Sequence, residues 1–549
     1  MIARCLRHRA PGLWVLLPFM AGILAGKILP RPPPSPALLG AALFAATLAA
    51  IAAWKNHVAT WAGALIAAML FAGAAAYMSQ RARLAAWDAL PPREARLILK
   101  IERLFPGAMD EKTVRGLARV TFAEPHLRDL RGQRVYFSLR NPVAVEAGAL
   151  TRSTEIAAVG VLAPLKSAPS PGSFAGFLDA AGVNFEFTRG RALAITGAAG
   201  AYAQFRERML ARFGAQLTRG LERRPELAGV LRAMLLGEKH ELSDAQQTQF
   251  LQSGTMHLFA ISGLHIAAIA VALHAVLAAL RLPRVMRFIG TLTALWLYVD
   301  ITGASPSAVR AFLMIALVET AWALRRPANP AAALAFAALA TLVVDPRQLF
   351  SASFQMSYGI VAAIVLLGLP LAETWQERAA VFRDLPKATW SWPQRTLEWL
   401  WRKTLAALAL GFSTTLVSLV CGVLFFGLFT PGGLVANLVL IPVSSLVIFG
   451  GFASLLLGLA GLGAVGAHFN LAAALTLRGM ELAVAGLLQA PGFFLEMEFR
   501  ASWVGFAALG VMMAAIFAGY ATRWEKRFGG FWTPFALTAL ALVLATKLR

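Results

Sequence analysis

Residues 257–280 read HLFAISGLHIAAIAVALHAVLAAL, an apolar run without a single Asp, Glu, Lys or Arg. At about 1.5 Å of rise per residue, a helix of this length crosses the ~30 Å hydrocarbon core of a bilayer. Its first third is unusual for such a helix. His257 and His265 flank Ser262 and Gly263, and polar groups at membrane depth are costly unless they face a protein interior or a wet cavity. Gly263 is expected to let a neighbouring backbone approach closely. Helix packing with no pathway involved is the plainer account of the same residues.

Comparable runs lie on both sides. They fall near 11–29, 36–54 and 58–79, and again near 286–303, 308–324, 330–344, 350–371, 404–428, 433–460, 466–489, 501–521 and 530–546. The expected fold is a polytopic α-helical membrane protein of about 12–13 spans. Composition agrees: 58% of the 549 residues are hydrophobic and 14% charged, where a soluble chain carries about a quarter, and mean hydropathy is +0.64. Lys and Arg number 51 against 28 Asp and Glu, a formal charge of +23. That excess fits an anionic partner or the orientation signals of cytoplasmic loops. Cys5 sits in the basic N-terminal tail and Cys421 in an apolar run, so a disulfide between them is not expected. No Cys/His spacing suits zinc, and no cofactor is expected. Arg4, Arg7 and Arg9 before the first run resemble a signal peptide, but the later spans favour an uncleaved first helix.

The hydrophobicity collapses between residues 81 and 255, where no stretch reads as able to span a bilayer. Alternating, β-branched runs appear at 95–104, 113–122, 134–139, 155–162 and 183–188, separated by Pro- and Gly-containing breakers. Five short strands in this length fit a small β-barrel, foremost an OB-fold, with a generic β-sandwich as the rival. Residues 200–256 read as amphipathic helix, with Leu227, Val230, Leu231, Met234 and Leu235 at helical spacing. The expected division is N-terminal helices at 1–80, the β domain at 81–199, the amphipathic region at 200–256 and a helical domain at 257–549.

Charge predicts orientation. With the N-terminus inside and sides alternating, Arg281, Arg284, Arg287, Arg325, Arg326, the basic segment 378–403 and Arg523, Lys526 and Arg527 all fall inside, as the positive-inside rule requires. Arg81, Arg83, Arg500, Lys547 and Arg549 depart from it. The β domain then lies outside the cytoplasm.

At this point the sequence resembles a family. His257-Leu-Phe-Ala-Ile-Ser-Gly-Leu-His265 is similar to the signature of the ComEC-type competence domain. Tyr298-Val-Asp-Ile-Thr-Gly303 with Ser307-Ala-Val-Arg310, Asp345-Pro346 with Ser353-Phe-Gln-Met-Ser-Tyr358, and Ala436-Asn437 through Pro442 resemble its further motifs in order. Ser170-Pro-Gly-Ser-Phe174 with Leu178 resembles the element that closes the family's extracytoplasmic domain. The resemblance implies a bacterial inner-membrane channel that carries single-stranded DNA into the cytoplasm during natural transformation. It also implies a DNA receptor outside and a helicase or translocase inside. Many family members add a metallo-β-lactamase-like domain with a His-x-His-x-Asp-His motif, which two metals require. None of the eight histidines here stand two apart. The chain is therefore expected to be no enzyme, and degradation of the second strand would fall to a separate nuclease.

Alternating topology places the polar signature residues His257, Asp300, Arg310, Gln355 and Asn437 in the outer half of the membrane. With Ser262, Gly263, His265 and Pro442 they are the candidate lining of an outward-facing vestibule. Asp300 and Arg310 are expected to pair across their turn, since an isolated buried charge is expensive, although a free guanidinium there would suit phosphate. Pro442 with Ser444 and Ser445 is expected to kink its helix. Trp375, Trp390, Trp392, Trp399 and Trp401 in the loop 373–403 suit the membrane interface, or stacking on bases. The rival functions are a secondary transporter of a small anion, with intramembrane polar residues as its site, and a non-conducting assembly protein. No Gly-x-x-x-x-Gly-Lys-Ser/Thr motif is present, so energy is expected from a partner or from the proton gradient.

Overall fold

The computed structural model describes residues 12–29, 33–81, 91–105, 113–140, 150–165, 172–386, 389–524 and 530–548. Arg4, Cys5, Arg7, Arg9, Arg83, Ser170, Pro171, Lys526, Arg527 and Arg549 lie outside the described residues. Three helices come first: α1 (Leu13–Ile28), α2 (Ser35–Trp54) and α3 (Val58–Arg81). Strands β1 (Arg93–Phe105), β2 (Thr113–Ala123), β3 (Arg134–Arg140) and β4 (Glu155–Pro164) follow, then α4 (Phe174–Ala180) and β5 (Phe185–Gly197). Helices α5 (Ala201–Thr218), α6 (Pro225–Leu236) and α7 (Asp244–Gln252) lead into the main body. That body holds α8 (Gly263–Ala279), α9 (Arg284–Ile301), α10 (Pro306–Ala323), α11 (Pro330–Val344), α12 (Ala352–Arg378) and α13 (Trp392–Phe426). It ends with β6 (Leu428–Phe429), α14 (Gly433–Leu459), α15 (Gly463–Leu487), β7 (Leu495–Phe499), α16 (Ser502–Ala521), α17 (Trp532–Ala545) and β8 (Thr546–Leu548).

A helix stands at each of the apolar stretches read from the sequence. Among the described residues seven are long and apolar enough to cross a membrane, and α1, α8, α11 and α17 are apolar but shorter. The remaining two carry ionisable groups, Arg284, Arg287 and Asp300 in α9 and Arg478 and Glu481 in α15. The chain is a multi-pass membrane protein. Three boundaries differ from the sequence reading by more than a turn, one of them the end of α12, which runs to Arg378 rather than 371. Trp392, Trp399 and Trp401 belong to the exposed first turns of α13, so the connection expected over 373–403 is shorter. The span expected from 257 begins at Gly263, because Ser262 takes an extended conformation (φ −115°, ψ 174°) at the N-cap.

The five strands close into a barrel in the order β1-β2-β3-β5-β4. Its pairs are antiparallel except β3 with β5, which run parallel. This is the small OB-like barrel the breaker spacing predicts. Leu97, Leu99 and Ile101 point inward with Phe137, Ile156 and Phe187, as the two-residue strand period requires. β5 extends past residue 188 through an irregular register at Arg189, a left-handed residue with φ 53°. On the barrel wall Glu102 joins two neighbouring strands, accepting from Arg119 Nε at 2.8 Å and Arg134 Nε at 2.6 Å.

Three contacts fasten the barrel to one end of the helical body. At the first, the Asp300 carboxylate closing α9 receives Arg206 Nη1 at 3.2 and 3.3 Å, Arg152 Nη1 at 3.2 Å and the Tyr202 hydroxyl at 2.8 Å. Asp300 and Arg206 are 8% and 9% exposed. At the second, Arg347 donates to Asn184 Oδ1 at 2.9 Å and to the Gly182 carbonyl at 3.3 Å, while Gln348 donates to the Ala180 carbonyl at 3.1 Å. The third is a close approach. A Cβ on Gly172 would stand 2.6 Å from the Phe425 carbonyl oxygen, so only glycine fits there. The β6-β7-β8 sheet pairs Leu428 with Glu496 and Met497 with Leu548, joining two connections and the segment after α17.

The amphipathic region does not stay beside the barrel. Tyr202 and Arg206, at the start of α5, meet Asp300. At the other end of the same helix, Gln216 donates to Ser454 Oγ at 3.1 Å and the Gly463 carbonyl at 3.2 Å, and Asn470 donates to the Gln216 carbonyl at 2.7 Å. Those partners surround the turn joining α14 and α15. α14 begins at the barrel end, where Gly433 lies close to Gly254, so that turn is at the opposite end. At about 1.5 Å per residue α5 descends roughly 25 Å, most of the depth of a bilayer core. α6 returns, buried from Ala228 through Leu236 except at Arg232, with Val230, Leu231, Met234 and Leu235 in the main apolar cluster.

These contacts set two expected outcomes. Burial alone would raise the Glu102 carboxyl, but the charges of Arg134 and Arg119 and the hydrogen bonds they donate outweigh it and hold the pKa below the usual glutamate value. Its contribution is therefore complete above the ordinary value of about 4.3 and lost as pH falls through the depressed one. Glu102→Gln should weaken barrel amide protection by about 1–2 kcal/mol at neutral pH, read by hydrogen exchange, and the gap from wild type should close below about pH 4. A gap that persists in acid would sink the assignment. Asp300→Asn should cost about 3–5 kcal/mol, because it strands buried Arg206 without an anion. Unchanged exchange protection across residues 150–160 and 201–218 would show that the carboxylate is not the tether.

Candidate functional site

The residues singled out by the sequence gather toward the barrel end of the helical body, in or before the first turns of α8, α10, α12 and α14 and at the last turn of α9, except Pro442, which lies in the third turn of α14. His257 lies on a short 3-10 turn, Met256–Phe259, with its side chain exposed. Ser262 then caps α8. Its backbone N–H donates to His265 Nδ1 at 3.3 Å, and its hydroxyl stands 2.8 Å from the same nitrogen. A backbone N–H can only donate, so Nδ1 is the acceptor and the ring proton sits on Nε2. That nitrogen is buried and has no hydrogen-bond partner among the described residues.

Gly263 is exposed, and a Cβ there would meet only the Ala311 Cβ, at 3.9 Å. The close backbone approach expected of it is absent; the glycine instead leaves open space beside α10. Arg310, 2% exposed, reaches from α10 to the start of α12. Its Nη2 donates to the Ser353 carbonyl at 2.8 Å and Ser353 Oγ at 2.7 Å, and its guanidinium carbon lies 5.8 Å from the centre of the Tyr358 ring. Its Nε–H has no partner among the described residues. The expected Asp300–Arg310 pair is thus not formed. Asp300 is satisfied by Arg152, Arg206 and Tyr202, all brought in by the barrel loop and α5, and the carbonyl and hydroxyl of Ser353 serve Arg310 in its place.

Gln355 donates to the Leu349 carbonyl at 3.0 Å, while its Oε1 is buried without a partner among the described residues. The Asn437 Oδ1 is in the same state on α14. Pro442 lies inside α14, and Ser444 and Ser445 both donate to the Ile441 carbonyl. The structure therefore brings Ser262, Gly263, His265, Arg310 and Gln355 together on three adjoining helices. It assigns Asp300 to the barrel tether and leaves Asn437 and Pro442 on a fourth helix.

Four buried side-chain groups here have spare capacity: His265 Nε2–H and Arg310 Nε–H as donors, Gln355 Oε1 and, on the fourth helix, Asn437 Oδ1 as acceptors. A cavity of about 1550 Å³, lined by Gln355 of this group, reaches from Val183 and Asn184 under the barrel past Gln355 and Tyr358, between α1 and α16. Its walls are mostly apolar, with Lys27 and Arg347 near its barrel end. Sequence reasoning missed Tyr202, Arg206, Arg152, Ser353 and Asn184. Ser353 stood in a quoted motif beside Gln355, but nothing local marks the others, whose partners lie 94 to 163 positions away.

The family model for Competence protein matches residues 234–525, just over half of the chain. ComE operon protein 3 of Bacillus subtilis (strain 168) is 31% identical over 142 residues, which cover 26% of this chain and 18% of that protein. No solved structure matches. The matched segment contains all the residues singled out by the sequence, from His257 on α8's approach to Pro442 within α14, and the chain belongs to the competence protein family.

Proposed function

We propose that this chain carries single-stranded DNA across the bacterial inner membrane into the cytoplasm during natural transformation. In this reading the N-terminus is cytoplasmic and the barrel extracytoplasmic. Family membership supplies the process, DNA uptake. The observation that favours passage of a strand is the barrel's place: buried charges fasten it over the end of the body where the polar residues gather. A strand held by an OB-like barrel would meet that end first.

His257, Ser262, Gly263, His265, Asp300, Arg310, Gln355, Asn437 and Pro442 make up the proposed vestibule, none with a catalytic role. Arg310 is its anion-binding group. Its Nη2 is anchored by Ser353, which fixes the guanidinium plane and leaves Nε–H for a phosphate oxygen. Asp300 holds the barrel in register above it. A receptor outside and a helicase or translocase inside complete the reading, and the tryptophans at the start of α13 rest on lipid headgroups.

The decisive measurement is internalisation of labelled DNA by cells lacking only this chain. Loss of internal DNA with normal surface binding is the expected result; unchanged internalisation would overturn the proposal. Complementation with Arg310→Gln should lower internalised DNA by about tenfold or more at normal membrane levels, the equivalent of one charge-assisted hydrogen bond of about 1.5 kcal/mol. Full uptake by that variant and by His257→Ala would remove the vestibule.

A further inference from the structure

α5 carries its charges in a pattern its burial does not explain. Ala203, Arg206, Phe213, Gln216 and Leu217 face the helical body. Gln204, Arg208, Arg212, Ala215 and Arg219 are exposed, and the three arginines fall within about 40° of one another around a 3.6-residue helix. Arg208 donates to the Gln204 carbonyl and Arg212 to the Gly458 carbonyl, and among the described residues no carboxylate lies within ion-pair distance of these three. Arg223 and Arg224, also exposed, extend the charge past the helix end. The nearby acids are Glu207 and Glu222, and Glu222 accepts the Gly220 N–H at 2.9 Å. Arg232 is committed to Glu238 and Glu241.

This stripe spans the depth of the helical body, from the Asp300 tether to the α14–α15 turn. A lipid-facing arginine near mid-bilayer costs at least about 2.5 kcal/mol; Arg208 lies between the two ends of the body, and Arg212 and Arg219 reach the carbonyl and crevice at the α14–α15 turn. Crevices flank the stripe on both sides. One of about 570 Å³ is lined by Arg219 and Arg232 together with Glu207, Glu222 and Glu238; another of about 260 Å³, whose charged residues are both arginines, holds Arg212, Gln216 and Arg219. The larger cavity beside α1 offers no comparable surface, since its charges sit near one end and its walls are apolar.

We infer that the exposed face of α5 is a wet track for the phosphates of single-stranded DNA, running from the barrel end to the opposite side of the body. The inference rests on the DNA-uptake reading and adds a route to it. Successive cations on one helix face neutralise successive phosphates without reading bases, so the track is sequence-tolerant.

The test uses the full chain in phosphatidylcholine nanodiscs and a fluorescein-labelled oligothymidylate, with anisotropy measured across a salt series. For single strands each phosphate contact contributes about 0.7 to the slope of log affinity against log salt. R208Q/R212Q/R219Q should flatten that slope by about 2, and R208K/R212K/R219K should restore it. Accessibility is read separately. In a Cys5→Ser background, Ala211→Cys and Ala215→Cys should react with a charged, membrane-impermeant thiol reagent and be protected by the oligonucleotide. Unreactive cysteines would mean that lipid or a second copy covers the face, and would overturn the inference, as would a slope unaltered by the glutamine variant or cysteines the oligonucleotide fails to protect. If deletion of the chain abolishes uptake in cells while the glutamine variant supports it fully, the track falls and the proposed function stands. If deletion leaves uptake intact, both fall.

Discussion

The arrangement depends on one carboxylate. Asp300 ends a helix of the membrane body and is met there by a barrel residue, Arg152, and by two residues of α5, Tyr202 and Arg206. A buried carboxylate cannot remain ionised without cations and donors, and these come from parts of the chain that have no other reason to meet. Ser153, next to Arg152, also lies 3.5 Å from Arg206 Nη2. The site thus sets the position of the barrel and the entry point of α5 together. The Arg347–Asn184 contact and the Gly172–Phe425 approach then fix the barrel's rotation at two further points.

With the barrel so placed, the polar first turns beneath it become one neighbourhood. Arg310 is oriented by Ser353, and His265 by the cap it shares with Ser262. Each retains one buried donor without a partner among the described residues. Spare donors of this kind are expensive to keep in a folded protein.

How much of this was legible in the sequence differed by the kind of physics involved. The spans were legible because a run such as 257–280 has one solvent it tolerates. The barrel strands were legible because Leu97, Leu99 and Ile101 alternate, and alternation has one geometry. Most of the motif residues gather at one end of the body, yet their partners were not readable. Asp300 and Arg310 looked paired because they are ten positions apart, whereas Asp300 bonds residues 94, 98 and 148 positions away. Gly263 was read as a packing glycine and turned out to border open space. The depth of α5 escaped for a further reason: hydropathy asks whether lipid can solvate a helix, and this one is held by side chains of α14 and α15 instead.

That last feature bears on how the protein is made. The contact between Gln216 and Ser454 joins residues 238 positions apart, so α5 leaves the ribosome long before α14 and α15 exist. Its arginines disfavour its entering the bilayer alone. The contacts that hold α5 at that end form only after α14 and α15 are made, so this part of the body is completed against chain order.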